Sequence, residues 1–100
     1  MRAVIWSEDA RDDYLNILRY IASDDPFAAE KVAQAIEKAG DGLGDFATGH
    51  PGRVSGTYEK SLPGLPYVIA YTFADRDTAV AIVRIIHTSR DWQADQWPEG

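Results

Sequence analysis

Apolar side chains at Ala10, Tyr14, Ile17, Leu18 and Ile21 recur at intervals of three and four. Arg11, Asp12, Asn16 and Ser23 fall mostly between them. That period lines one side of an α-helix and predicts one from about 7 to 23. Ser7 is suited to cap its first turn, where Glu8 and Asp9 sit favourably against the helix dipole. Residues 2–6 ahead of it read as a short strand. Asp24-Asp25-Pro26 stops the first helix and starts a second, with Asp25 as cap and Pro26 at a position that needs no backbone donor. Ala29, Val32, Ala33, Ile36 and Leu43 form the second stripe, and its alanines allow close approach to a neighbour. The short connection makes the two helices an antiparallel hairpin. Gly40-Asp41-Gly42-Leu43-Gly44 is expected to end the second helix.

The period then changes. Residues 45–52 read as loop, punctuated by His50-Pro51-Gly52. Three strands are expected at about 53–62, 66–74 and 78–87, separated by Pro63-Gly64 and by Ala74-Asp75-Arg76-Asp77. In the middle strand Tyr67, Ile69, Tyr71 and Phe73 alternate with Val68, Ala70 and Thr72. Short turns imply antiparallel pairing. The expected fold is α+β, in the order β-α-α-β-β-β, with the helical hairpin packed on one face of a mainly antiparallel sheet. The two later strands are apolar on both faces, so something else must cover the second face.

Composition narrows the function. A chain of 100 residues is expected to be one domain, 1–100, since two halves would each be too small to bury a core. Sixteen acidic against ten basic residues give a net charge of −6, which argues against broad binding to nucleic acid through its phosphates. Without cysteine, disulfides and thiolate metal sites are excluded. His50 and His87, the two histidines, offer no metal constellation, and no cofactor is expected. The glycine run follows a helix and precedes no Lys-Ser or Lys-Thr pair, so it is not a phosphate loop. No stretch approaches a membrane span or a secretory leader, and a cytoplasmic protein without a membrane partner is expected.

Trp6-Ser7 with Ala10, Asp13, Tyr20-Ile21, Asp25-Pro26 with Ala29, and Arg53, Gly56, Tyr58 and Glu59 occur in that order along the chain. They are followed by Pro66-Tyr67-Val68-Ile69-Ala70-Tyr71, Val83-Arg84-Ile85-Ile86-His87 and Arg90-Asp91-Trp92. Over nearly its whole length the chain thus resembles the ParE/RelE superfamily of type II toxin–antitoxin toxins. The resemblance implies a toxin silenced by a cognate antitoxin whose C-terminal segment wraps it, in a hetero-oligomer. RelE-like members cleave messenger RNA in the ribosomal A site; ParE-like members poison DNA gyrase and are not known as nucleases. RelE-like toxins carry an arginine on the middle strand, and Val68 stands there in this chain. The tail also lacks the tyrosine of several nuclease members. The expectation is therefore a ParE-like, non-enzymatic inhibitor of DNA gyrase, neutralised by a ParD-like antitoxin, with no sequence-specific nucleic-acid binding of its own. A RelE-like ribosome-dependent endoribonuclease is the alternative.

The resemblance and the residue types nominate Arg53, Tyr67, Tyr71, Arg84, His87, Arg90 and Trp97 as contacts to antitoxin or target. If the chain were a nuclease, His87, Arg84 and Arg53 would carry the chemistry. An imidazole can serve as general base or as hydrogen-bond donor, and Arg84 can hold a carboxylate with two bonds. Strand parity puts these two on opposite faces unless a bulge intervenes, so spacing alone does not pair them. Each nominee has a plainer role too. Arg84 could sit in an internal salt bridge, Tyr67 and Tyr71 could lie buried under the helices, and Trp92 could anchor the tail. Glu8, Asp9, Asp12 and Asp13 are expected on a solvated helix face.

Overall fold

A computed structural model describes residues 2–52 and 54–88. Its elements are β1 (Ala3–Trp6), α1 (Glu8–Ala22), α2 (Pro26–Asp45), β2 (His50–Pro51), β3 (Tyr58–Ser61), β4 (Tyr67–Ala74) and β5 (Ala79–His87). Arg53, Arg90, Trp92 and Trp97 lie outside the described residues. Neither helix is long and apolar enough to cross a membrane.

Both helices start as the caps require. The Ser7 hydroxyl accepts from the Ala10 N–H at 3.0 Å, and the Asp25 carboxylate accepts from Phe27 and Ala28, each at 3.1 Å. The end of α2 corrects the expectation: the helix runs through its glycines to Asp45. Gly40 and Gly44 are buried where α2 crosses β1. A methyl group on Gly40 would lie 2.9 Å from the Trp6 indole, and one on Gly44 would lie 2.6 Å from the Arg2 carbonyl oxygen. These glycines permit close approach of helix to strand, and packing outweighs the roughly 1 kcal/mol that each costs a helix.

The sheet order is β1-β5-β4-β3-β2. The helical hairpin carries the chain across so that β1 lies parallel to β5, while the remaining pairs are antiparallel. The expected strand 53–62 is shorter at its start. Residues 54–57 turn instead, with the Thr57 N–H on the Val54 carbonyl at 3.0 Å, and only Tyr58–Ser61 pair with β4. The expected loop 45–52 contributes the edge strand β2, which pairs with Tyr58 and Glu59. Asp75, Arg76 and Asp77, at the β4–β5 turn, all have positive φ.

Ile36 and Leu43 from α2 meet Ile69 and Tyr71 from β4 and Val80, Ile82 and Ile85 from β5 in one core, with Tyr14, Ile17, Leu18 and Ile21 of α1 packed around it. Each fully buried aliphatic side chain contributes roughly 1.5–3 kcal/mol. On the opposite face Ala70 and Ile86 are buried with Val54 and Val83 beside them. Thr72 bonds the Gly56 carbonyl at 3.0 Å, so the 54–57 turn supplies part of the cover that this second face was expected to need.

Candidate functional site

β1 pairs with β5 only as far as Trp6 and Ile82. Past that point the outer edge of β5 would expose unpaired backbone groups, a hazard that proteins cover. Here α1 takes over the edge. The Ser7 N–H donates to the Ile82 carbonyl at 2.9 Å and the Ser7 hydroxyl to the Val83 carbonyl at 3.0 Å. One turn and a half later, Asp13 Oδ2 accepts the Ile85 N–H at 3.0 Å.

The same carboxylate holds Arg84. Its Nε donates to Asp13 Oδ2 at 2.7 Å and its Nη2 to Oδ1 at 2.9 Å, in a fork whose side chains are only 18% and 16% exposed. Asp13 was expected on a solvated face and is instead a structural acceptor. A signal existed: it stands three residues after Ala10 and four before Ile17, on the buried side of α1.

A bulge lies in β5 at Val83, since Tyr71 opposes Ile82 while Ala70 opposes Arg84. The extra residue switches the inward positions from Val80 and Ile82 to Ile85 and His87. Arg84 pairs with Ala70 and His87 with Tyr67, so the two still point to opposite faces and do not form one catalytic pair. The His87 ring instead meets Tyr67 edge-on, with centroids 5.4 Å apart.

Tyr67 and Tyr71, nominated as contacts to antitoxin or target, take the plainer role of residues packed under the helices. Both are buried in the core. The Tyr71 hydroxyl accepts the Gly49 N–H at 3.0 Å, its ring stacks on Tyr58 at 5.6 Å, and Phe73 closes the cluster. Burial raises the pKa of Tyr67 and Tyr71 above the ordinary tyrosine value; the Gly49 N–H offsets part of the rise at Tyr71.

Apolar surface open to a partner lies elsewhere. A groove of about 570 Å³ runs between the C-terminal half of α2 and the β3–β4 turn. Ala35, Ala39 and Gly42 form one wall, Leu62 and Pro63 the other, and Phe46, 75% exposed, stands at one end. Lys38 and Lys60 stand at its rim, the latter bonded to the Thr48 hydroxyl at 2.6 Å. The spacing of Ala35, Ala39 and Gly42 on one helix side was the available sequence signal. Tyr20 and Phe27, 81% and 79% exposed, add apolar surface on either side of the helix–helix turn. Among the described residues no group of three His, Asp or Glu side chains could hold a metal ion.

Residues 4–92 match the family described as the ParE toxin of the type II toxin–antitoxin system parDE. The chain belongs to that family. It is 40% identical to Y4kP of Sinorhizobium fredii, named as a candidate toxin, over 73% of this chain and 74% of that one. It is 35% identical to toxin RelE2 of Caulobacter vibrioides, over 90% of this chain and 99% of the relative. The fold matches a structure of the chromosomal ParDE system from P. aeruginosa with a TM-score of 0.78 and 24% identity, covering 89% and 98% of the two chains. A second match, with a TM-score of 0.55 and 26% identity over 86% and 96%, is to the RelBE2 toxin–antitoxin complex of Mycobacterium tuberculosis. This ParE-family chain is accordingly a toxin of the type II toxin–antitoxin class. The relatives bear both ParE and RelE names.

Proposed function

We propose that this ParE-family toxin acts in the cytoplasm by obstructing DNA gyrase, without catalysing a reaction, and is silenced by a ParD-like antitoxin. What carries the non-enzymatic reading is the Asp13–Arg84 fork. Ribonucleolytic cleavage needs a general base, a proton donor and cations gathered at one phosphate. The Arg84 guanidinium is held by Asp13, on the face away from His87, and Val68 occupies the middle-strand position where RelE-like toxins carry arginine. Antitoxin binding is supported by the groove between α2 and the β3–β4 turn, whose apolar walls and two rim lysines suit an amphipathic segment with acidic flanks. It is also supported by the match to the ParDE and RelBE2 systems.

The similarity to the relative named RelE2 favours a second reading, ribosome-dependent messenger RNA cleavage. Induction of the chain alone separates the two. Gyrase obstruction gives growth arrest, loss of negative supercoiling and a DNA-damage response with intact transcripts. Codon-phased cleavage of ribosome-bound transcripts with unchanged supercoiling would replace it by the second reading.

A further inference from the structure

Where α1 and α2 cross β1, a second pocket of about 230 Å³ opens on the flank of α2 away from the groove. Trp6, Tyr14, Glu37, Asp41 and Arg11 line it. Trp6 and Tyr14 meet edge to face, with centroids 5.8 Å apart and planes at 69°. The indole is fixed from behind by Gly40, where any side chain would collide with it. Glu37 and Asp41 stand one helical turn apart above these rings, and both are exposed. Burial, then the charge of the nearby Glu37, raises the pKa of the Tyr14 hydroxyl. The tyrosine therefore remains neutral beside this carboxylate.

Two aromatic rings beside two carboxylates attract a cation in two ways, through the ring quadrupoles and through charge. A planar guanidinium can stack on a ring while bonding a carboxylate edge, which an ammonium cannot. Arg11 supplies one positive charge against the two negative ones, and among the described residues no ion pair joins it to Glu37 or Asp41. The pocket keeps a net negative charge in a chain whose overall charge is −6. Its size admits one side chain, not a helix or strand.

We infer that the Trp6–Tyr14–Glu37–Asp41 pocket receives an arginine side chain of a protein partner. It is an anchoring point separate from the apolar groove and is built from this chain alone, so it stands whether the target is gyrase or the ribosome. Arg11, which also lines it, weakens it by like-charge repulsion.

The test is a nuclear magnetic resonance titration of the full chain, made by cell-free synthesis, with Nα-acetyl-arginine amide. The neutral citrulline analogue, nearly identical in shape, is the control. Saturable movement of the Trp6 indole N–H is expected with the arginine compound. Affinity should fall about 3- to 10-fold in the Glu37→Gln/Asp41→Asn double variant and rise in Arg11→Gln. All three substituted positions are exposed, and the amide spectrum reports whether the fold is kept. The inference is overturned if Trp6 shows no saturable change, if the citrulline analogue binds as tightly, or if Arg11→Gln lowers the affinity.

Discussion

Asp13 on α1 and Arg84 on β5, 71 positions apart, share a two-bond fork whose carboxylate also accepts the Ile85 N–H. Asp13 is therefore the point at which the first helix seals the half of β5 that β1 is too short to reach. Removing it takes both bonds of the fork from Arg84 and leaves the Ile85 N–H without this acceptor. Asp13→Ala is expected to lower the unfolding free energy by about 2–4 kcal/mol. Arg84→Ala should cost less than Asp13→Ala, because the carboxylate keeps its bond to Ile85. Urea unfolding of both variants and the double variant measures this, and equal losses would count against the edge-sealing role.

Two of the glycines late in α2, Gly42 and Gly44, should part company. At Gly42 nothing lies within 4 Å of an added methyl group. Gly42→Ala is expected to stabilise the chain by about 0.5–1 kcal/mol through helix propensity. At Gly44 the same change meets the Arg2 carbonyl and should destabilise, by roughly 1–3 kcal/mol for an overpacked contact. Thermal melts with opposite shifts for these neighbours would bear this out.

Alkali should weaken the fold through three tyrosines that packing shields from water, Tyr14 partly buried and Tyr67 and Tyr71 buried. Tyr14, Tyr67 and Tyr71 all have pKa values raised above 10.0, with burial as the leading cause. Above the unfolded value the unfolded chain loses these protons first, so it binds fewer than the folded chain. Their contribution to stability is complete below pH of about 10 and is lost as pH rises through the folded values. Tyr71→Phe should flatten this alkaline decline. It should also cost about 1 kcal/mol at neutral pH, because the Gly49 N–H loses its acceptor. Denaturant midpoints from pH 8 to pH 11 give both quantities.

Neutralisation and toxicity should separate at the groove. Phe46 stands exposed at its end, so Phe46→Glu should change stability little. It removes an apolar contact and sets a like charge against an acidic segment. Antitoxin affinity is expected to fall at least about tenfold, a loss of roughly 1.4 kcal/mol, with growth arrest on induction unchanged. Rescue by coexpressed antitoxin as complete as in the parent chain would move the antitoxin off this surface.

Local chemistry made most of the architecture readable. Ser7 and Asp25 act through bonds to residues two or three positions on, and the stripes of both helices report burial through a fixed period, so the hairpin and strands β4 and β5 were legible. The glycine run was misread because a helix-ending glycine and a glycine under a crossing strand look alike in sequence. The start of β3 was misread because the 54–57 turn is set by Val54 and Thr57 folding over the far face. For the candidate site, the opposite orientation of Arg84 and His87 followed from parity, whereas the partner of Arg84 did not.

The sequence by itself determined both helices, the strands other than the edge strand β2, their order and most of the faces that they bury, because these depend on neighbours along the chain and on the periods of helix and strand. It also carried enough of the ParE toxin pattern to assign the family. Tertiary structure alone decided that Asp13 belongs to Arg84 and Ile85, that Gly44 lies under Arg2, and that Tyr71 is sealed in the core while Phe46 faces solvent. Those outcomes depend on where the crossover lays β1 and how far it runs along β5. Contacts between residues distant in the chain are fixed by the meeting of whole elements, which no local pattern encodes.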